Sequence, residues 1–270
     1  MTRLPSYFLS HGGGPWPFMD NEFSRMFGEL EQSLKTVAAE LPEKPSAVLV
    51  ISGHWEAVEF QVASAATPGM VYDYHGFPEH TYHVRYPAPG DPALAAEVQQ
   101  RLRDVGLPCH LDSEQGFDHG AFSLLYPMYP EADVPVVQLS LLHSMDPAAH
   151  LAAGRALAPL REKNILIVGS GMSYHNLRLL GPGGAEPSRQ FDKWLQQTLV
   201  ESEPDTRRER LEHWSQAPSA RIAHPREDHL LPLMVALGAA EQEPAGCIYR
   251  QHDLFGGITV SSYRFGNLPD

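Results

Sequence analysis

The sequence predicts one α/β domain across residues 1–270, with a mostly parallel central sheet flanked by helices. Three observations lead there. Apolar, strand-like runs alternate with segments of helical spacing, the order that builds parallel sheets. No composition break and no repeat period divides the chain. Three of the runs pass straight into small-residue turns that end on histidine: Tyr7-Phe8-Leu9-Ser10-His11, residues 48–51 followed by Ser52-Gly53-His54, and residues 165–168 followed by a turn to His175. In an open α/β sheet the carboxyl ends of parallel strands share one rim. Histidines launched from several strand ends can converge there into a metal site.

The elements follow in order. Residues 6–10 read as a first strand. Residues 18–41 carry Phe23, Met26, Phe27, Leu30, Leu34, Val37, Ala38 and Leu41 at helical spacing, up to the break at Pro42. Residues 47–51 form a continuous apolar run, the mark of a strand buried on both faces. Residues 60–63 read as another strand. A long irregular stretch over 67–91, rich in Tyr, His, Pro and Gly, is too aromatic for disorder and reads as functional. Helical patterns cover 92–105, 147–161, 188–202 and 230–240, and strands are expected at 135–141, 164–168, 247–249 and 258–265. The segment Gly181-Pro182-Gly183-Gly184-Ala185-Glu186-Pro187 is expected as a flexible surface loop.

Composition narrows the function. With 20 basic against 33 acidic residues, the net charge of −13 argues against a nucleic-acid surface and against docking on anionic lipid. A small-molecule role remains. Cys109 and Cys247 lie far apart, match no Cys-x-x-Cys spacing and fit reduced thiols. No apolar h-region precedes His11, so neither a secretory leader nor a membrane span is expected and the chain reads as cytoplasmic. Monomer and small homo-oligomer both stay open.

Histidine is the unusual residue, with 14 copies, several of them beside glycine. His11 precedes Gly12-Gly13-Gly14-Pro15, a turn where missing β-carbons let backbone approach a metal or substrate closely. That turn lacks both the lysine of a G-x-x-x-x-G-K-[ST] loop and G-x-G-x-x-G spacing. His54 has the same context after the most hydrophobic early strand. One such histidine is more often a core or capping residue; the duplication favours a functional reading of both. A third ligand is sought in His224-Pro225-Arg226-Glu227-Asp228-His229. There His224, Glu227, Asp228 and His229 all suit a divalent metal, and an acidic helix N-terminus is the plain alternative. His175 and His119 lie beside glycine-containing turns and can present an imidazole to the rim, the natural proton shuttle near neutral pH. His75, His80 and His83 stand between pocket and surface. His110, His143, His150, His213 and His252 have no such context and read as ordinary.

Several short motifs together resemble a known family. Ser10-His11-Gly12, Ser52-Gly53-His54-Trp55, Gly76-Phe77-Pro78, Tyr86-Pro87-Ala88-Pro89-Gly90, Gly116-Phe117-Asp118-His119-Gly120, His175-Asn176-Leu177 and Glu227-Asp228-His229-Leu230-Leu231-Pro232-Leu233 are similar, in the same order, to the DOPA 4,5-dioxygenase-like branch of the class III extradiol ring-cleavage dioxygenases. The resemblance implies an α/β fold with non-haem Fe(II) at the strand ends, often replaced by Zn(II) in isolated protein. It implies His11, His54 and His229 as metal ligands, His175 as acid/base and His119 as a pocket histidine, with a small-molecule catechol and O2 as substrates. Two departures stand out: the usual Pro-Glu-His is Glu227-Asp228-His229, and the usual His-Gly-Ser-Pro turn is His11-Gly12-Gly13-Gly14-Pro15. The first leaves Asp228 and Glu227 as competing ligands.

A site of this kind has a chemical logic. A catechol binds through two adjacent oxygens, so the metal must keep several positions open, as three-residue facial sites do. Three neutral imidazoles leave the divalent charge uncompensated, free to acidify the diol. Trp55, Tyr72, Tyr74 and Phe77 are expected as a nonpolar wall, and Arg85 or Arg178 as a clamp for a substrate carboxylate. Two other classes compete. A zinc hydrolase could use Glu56 as a neighbouring acid, although the H-E-x-x-H helix is absent. The other is a non-catalytic metal-binding module on the same scaffold.

Overall fold

The computed structural model describes residues 3–269. The chain begins with β1 (Ser6–Ser10), α1 (Glu22–Arg25), α2 (Gly28–Ala39), β2 (Ala47–Ala57) and β3 (Phe60–Ala63). It continues through α3 (Pro92–Asp104), β4 (Cys109–Asp112), α4 (His119–Met128), β5 (Val136–Leu142), α5 (Pro147–Leu157) and β6 (Ile165–Gly171). It closes with α6 (Ala185–Leu199), α7 (Pro204–Glu212), α8 (Ala220–Ala223), α9 (Leu231–Gly238) and the antiparallel pair β7 (Ala245–Leu254) and β8 (Ile258–Phe265). Among the described residues, no helix is long and apolar enough to cross a membrane.

The eight strands form one sheet in the order β4-β3-β5-β2-β6-β1-β8-β7. Its middle, β5-β2-β6-β1, is parallel throughout. Antiparallel joints occur only outside that middle, where β3 meets β5 and β8 meets β1 and β7. Every residue of β1 and β6 is buried, which accounts for their unbroken apolar runs. Register makes the rim: Ser10 of β1 is level with Gly171 of β6, and Ser52 of β2 with Ser170.

Alternate residues of a strand face opposite sides of a sheet, and the rim residues show which helix covers which side. Ser170 and Ser52 reach the α4 side, bonding to Gly120 O at 2.5 Å and Asp118 Oδ1 at 2.7 Å. Gly171 faces the α9 side, where an added Cβ would stand 2.1 Å from His229 O. This glycine therefore sets how closely the segment before α9 lies on the sheet.

Several sequence expectations are corrected. The helix expected over 18–41 is broken: Asn21 caps the one-turn α1 by accepting from Ser24 N, Phe27 leaves helical geometry, and α2 starts afresh at Gly28. The strand expected to stop at 51 runs on to Ala57, with a register shift against β5 between Ile51 and Glu56. The loop expected over 181–187 is instead a 3-10 turn, Pro182–Gly184, followed by the first turn of α6. Elements β4, α4 and α7 had not been anticipated.

One buried histidine makes the fold itself pH-sensitive. His150 on α5 donates from Nδ1 to Asp146 O at 2.7 Å and accepts at Nε2 from Leu142 N at 3.2 Å. Both nitrogens are thus committed to the neutral ring, and burial, only partly opposed by Asp146, pushes its pKa down to about 4 from 6.5. Between those values the unfolded chain binds the proton and the folded one does not, so stability falls as pH falls. The expected slope is about 1.4 kcal/mol per pH unit for this ring. Thermal melts of metal-free protein from neutral pH downward check it, and a Tm that stays flat through that window contradicts the assignment.

Candidate active site

Histidines from five segments meet at the rim. His11 follows β1 directly and is held by its backbone, whose N–H bonds to Gly171 O at 3.2 Å while its carbonyl accepts from Trp16 Nε1 at 2.7 Å. His54 rides on the irregular stretch of β2. His229 arrives just before α9, its carbonyl accepting from Met172 N at 3.1 Å. His175 follows β6, its N–H tied to Ala223 O at 2.9 Å. His119 is the first residue of α4, which Asp118 caps by accepting from Ala121 N.

Three of these imidazoles turn the same nitrogen inward. His54 Nε2 lies 3.2 Å from His11 Nε2 and 3.1 Å from His229 Nε2. The outer nitrogens explain the orientation. Ser170 spends its proton on Gly120 O, so its oxygen receives His11 Nδ1–H at 3.1 Å. His54 Nδ1 stands 3.1 Å from the carboxylate oxygen Asp73 Oδ2, which favours the proton on that side. His229 Nδ1 stands 3.2 Å from Asp228 Oδ2 but off the line of a hydrogen bond, and finds no other partner. Burial first, and the neighbouring histidines second, hold all three rings well below the usual histidine pKa. In the His54 ring the nearby Asp73 opposes this without reversing it.

These three rings fit a cation. Nitrogens bound at about 2.1 Å sit roughly 3.0 Å apart at right angles and roughly 3.4 Å apart at the tetrahedral angle, and the two measured separations fall between. Neutral rings with inward lone pairs would repel one another without one. Two further clusters combine histidine with carboxylate, His54-Asp73-His119 and His175-Asp228-His229, but each shares a histidine with the first.

The other two histidines flank the cup. His175 stacks flat on His229, ring centres 3.3 Å apart and planes 13° apart, so it covers the face of that ring rather than adding a nitrogen to the cup. Burial, with His119 adding to it, pushes its pKa down to about 4. His119 lies 3.9 Å from His54 between ring centres. Asp73 ties these two together: its Oδ1 accepts from His119 Nδ1 at 2.8 Å and from His119 N at 3.1 Å, while Oδ2 faces His54.

A cleft of about 400 Å³ opens over the five rings. Tyr74, His75 and Phe77 from the long aromatic stretch line it, together with Phe23, Met172, Leu177, Leu180 and Phe255. Gly14, at φ +55, carries the ring of Phe77 where its own Cβ would be, 2.5 Å from Phe77 Cζ. Other expectations do not hold. Trp55 is buried away from the cleft, Tyr72 donates to Val84 O instead, and His80 and His83 sit on the surface against Phe18 O and Glu79. Neither Arg85 nor Arg178 lines the cleft, so the expected carboxylate clamp is not there. Among the competing ligands, His224 is fully buried with Nε2 on Ser173 O, Glu227 pairs with Arg221, and Glu56 pairs with Arg226. Asp228 stays outside the inward cup, 3.7 Å from Arg226.

Residues 5–266 match the catalytic LigB subunit of aromatic ring-opening dioxygenase. The chain belongs to the LigB family of extradiol ring-cleavage dioxygenases. A 4,5-DOPA dioxygenase extradiol of Beta vulgaris is 38% identical, with 96% of both chains covered. Another, from Escherichia coli (strain K12), is 36% identical over 90% of this chain and 88% of its own. A dioxygenase of Hapsidospora irregularis is 37% identical over 98% of this chain and 86% of its own. The crystal structure of an uncharacterized Escherichia coli K12 protein superposes with a TM-score of 0.79 at 32% identity, covering 98% of this chain and 100% of the other. LigB dioxygenases are metal-dependent and act on small molecules with O2, which agrees with the histidine cup and the cleft.

Two carboxylates of this dioxygenase escaped the sequence reading. Asp118 is fully buried, and its side chain accepts from Ser52 Oγ, Ala121 N and Gln138 Nε2 at 2.7–3.1 Å. Ser52 in turn accepts from His54 N at 3.2 Å, so Asp118 anchors the strand that carries His54. Burial, and the charge of Asp73, push Asp118 up to about 6 against those hydrogen bonds. Its position as a helix N-cap before an apolar run was a usable signal. Asp73 had none, being a lone acid among tyrosines. Burial raises the Asp73 carboxyl, but the bonds from His119 and the two imidazoles outweigh it and leave the pKa lowered. Asp73→Asn should weaken metal retention by about 10–100-fold, since outer partners orient the rings they hold. Metal titration of the variant checks this; an unchanged affinity would mean the rings hold themselves.

Proposed function

We propose that this dioxygenase opens the ring of a catechol with O2 at an Fe(II) held by His11, His54 and His229, with His175 as acid/base and His119 as a second pocket histidine. Residues 1–270 then act as one catalytic domain, and DOPA, caffeate and other substituted catechols share the required diol. The observation that carries the reading is the inward convergence of three imidazoles at the floor of an apolar cleft, with His54 Nε2 3.2 Å from His11 Nε2 and 3.1 Å from His229 Nε2. Fe(II), when bound, acidifies the diol and makes O2 reactive toward it, whereas Zn(II) suits the same nitrogens but offers no redox chemistry.

The residues do the rest. His175 is neutral at physiological pH and unbonded at its ring nitrogens, ready to take a proton from the diol and return it later. His119, its Nδ1 held by Asp73 at 2.8 Å, lines the cleft beside His54. The aromatic and aliphatic wall excludes water from the reacting ring. One catechol and one O2 give one product: the carbon–carbon bond beside the diol breaks, the hydroxyl-bearing carbon becomes a carboxylic acid, and its neighbour becomes an aldehyde.

Anaerobic loading with Fe(II), followed by catechol and air, tests this. A yellow ring-opened product with one O2 consumed per catechol is expected. Turnover of esters or amides with Zn(II) alone would replace the reading with a hydrolase. Metal binding without catechol-dependent O2 uptake would also sink it.

A further inference from the structure

We propose that the substrate is a catechol carrying an uncharged, apolar substituent rather than an amino-acid or carboxylate side chain, a proposal that rests on the catechol-cleaving reading above. Two observations point there. First, among the described residues no lysine or arginine side chain lines the cleft, and the carboxylate that does, Asp73, is already engaged by two histidines. The hydroxyls of the lining tyrosines are occupied as well: Tyr74 donates to Thr81 O and Tyr174 to Leu179 O. A substrate carboxylate entering this wall would lose water without meeting a lysine or arginine side chain.

Second, the wall leading from the histidines to solvent is hydrocarbon. Phe23 packs edge-on against Phe77, ring centres 5.8 Å apart, and tilted against Phe255, ring centres 6.2 Å apart. Phe255 keeps its place at φ +52, a left-handed backbone that a bulky residue rarely adopts. At the mouth, Leu177 and Leu180 are 68% and 38% exposed while still lining the cleft. Apolar side chains left in water at the entrance of a cleft mark a surface that gains by being covered. An alkyl or aryl substituent pointing outward from the bound diol would cover them, at on the order of fourfold in affinity per buried methylene.

A matched pair of probes tests the inference. On the Fe(II)-loaded enzyme, kcat/KM for 4-propylcatechol should exceed that for 3-(3,4-dihydroxyphenyl)propionate, which differs by a terminal carboxylate, by tenfold or more, and should exceed that for DOPA by at least as much. Calorimetric titration of the Zn(II) protein with the same pair should show the same order. Leu177→Arg, at an exposed position, should narrow the gap at least fivefold. Parity, or preference for the acids, overturns this inference alone and directs attention to the backbone amides of the Gly12–Gly14 turn. Failure to open any catechol overturns the catechol reading itself.

Discussion

Alanine at His11, His54 or His229 is expected to strip this dioxygenase of its metal. Each substitution deletes one of three inward nitrogens, and the remaining two cannot close a facial site. The loss should exceed the roughly 10–100-fold that follows from disturbing an outer partner such as Asp73. Metal content measured after desalting reads it directly. Added metal should raise the Tm of the wild type, because the folded state alone presents the assembled site, and should leave the variants nearly unmoved. Any one variant that keeps its full metal content removes that residue from the ligand set.

His175→Ala is expected to behave in the opposite way, keeping metal and losing turnover. The ring lies flat on His229 and contributes nothing to the inward cup, so its deletion should spare the cup and remove the proposed acid/base. A fall in kcat on the order of 10²-fold or more is the usual cost of such a loss. Metal analysis and steady-state rates on the same sample separate the two effects. Equal turnover in the variant would put the proton transfer on another group, with His119 next in line.

Much of the architecture was legible because burial on two faces leaves a plain trace. Residues 47–51 and 165–168 are apolar without interruption, and both prove to be central parallel strands. The missed elements lack any such trace. Helix α4 is apolar all round, with nine of its ten residues buried, so it has no stripe to detect. Helix α7 fails for the opposite reason, Pro204–Glu212 being polar on nearly every side. At the site, glycine-containing turns mark four of the five rings that the fold brings together, whereas His229, in an acidic run, is singled out among its neighbours only by the family resemblance. Asp73 stayed hidden because its meaning comes only from long-range proximity, 46 residues from His119. The supposed arginine clamp misled for a related reason, since nearness in sequence to pocket residues says nothing about direction.

The cup and the wall have different origins in the chain. Three of the five histidines stand on or immediately after strands of the sheet or open a buried helix, and the other two are bonded through their backbones to neighbouring segments, whereas Phe77, Leu177, Leu180 and Phe255 belong to connections between the strands and α-helices and Phe23 to a single helical turn. Connections tolerate replacement far better than packed strands do. Chemistry and selectivity are thereby separable. Descendants of this chain can exchange the molecules they accept by swapping a few bulky groups at the entrance, while the machinery beneath is inherited intact.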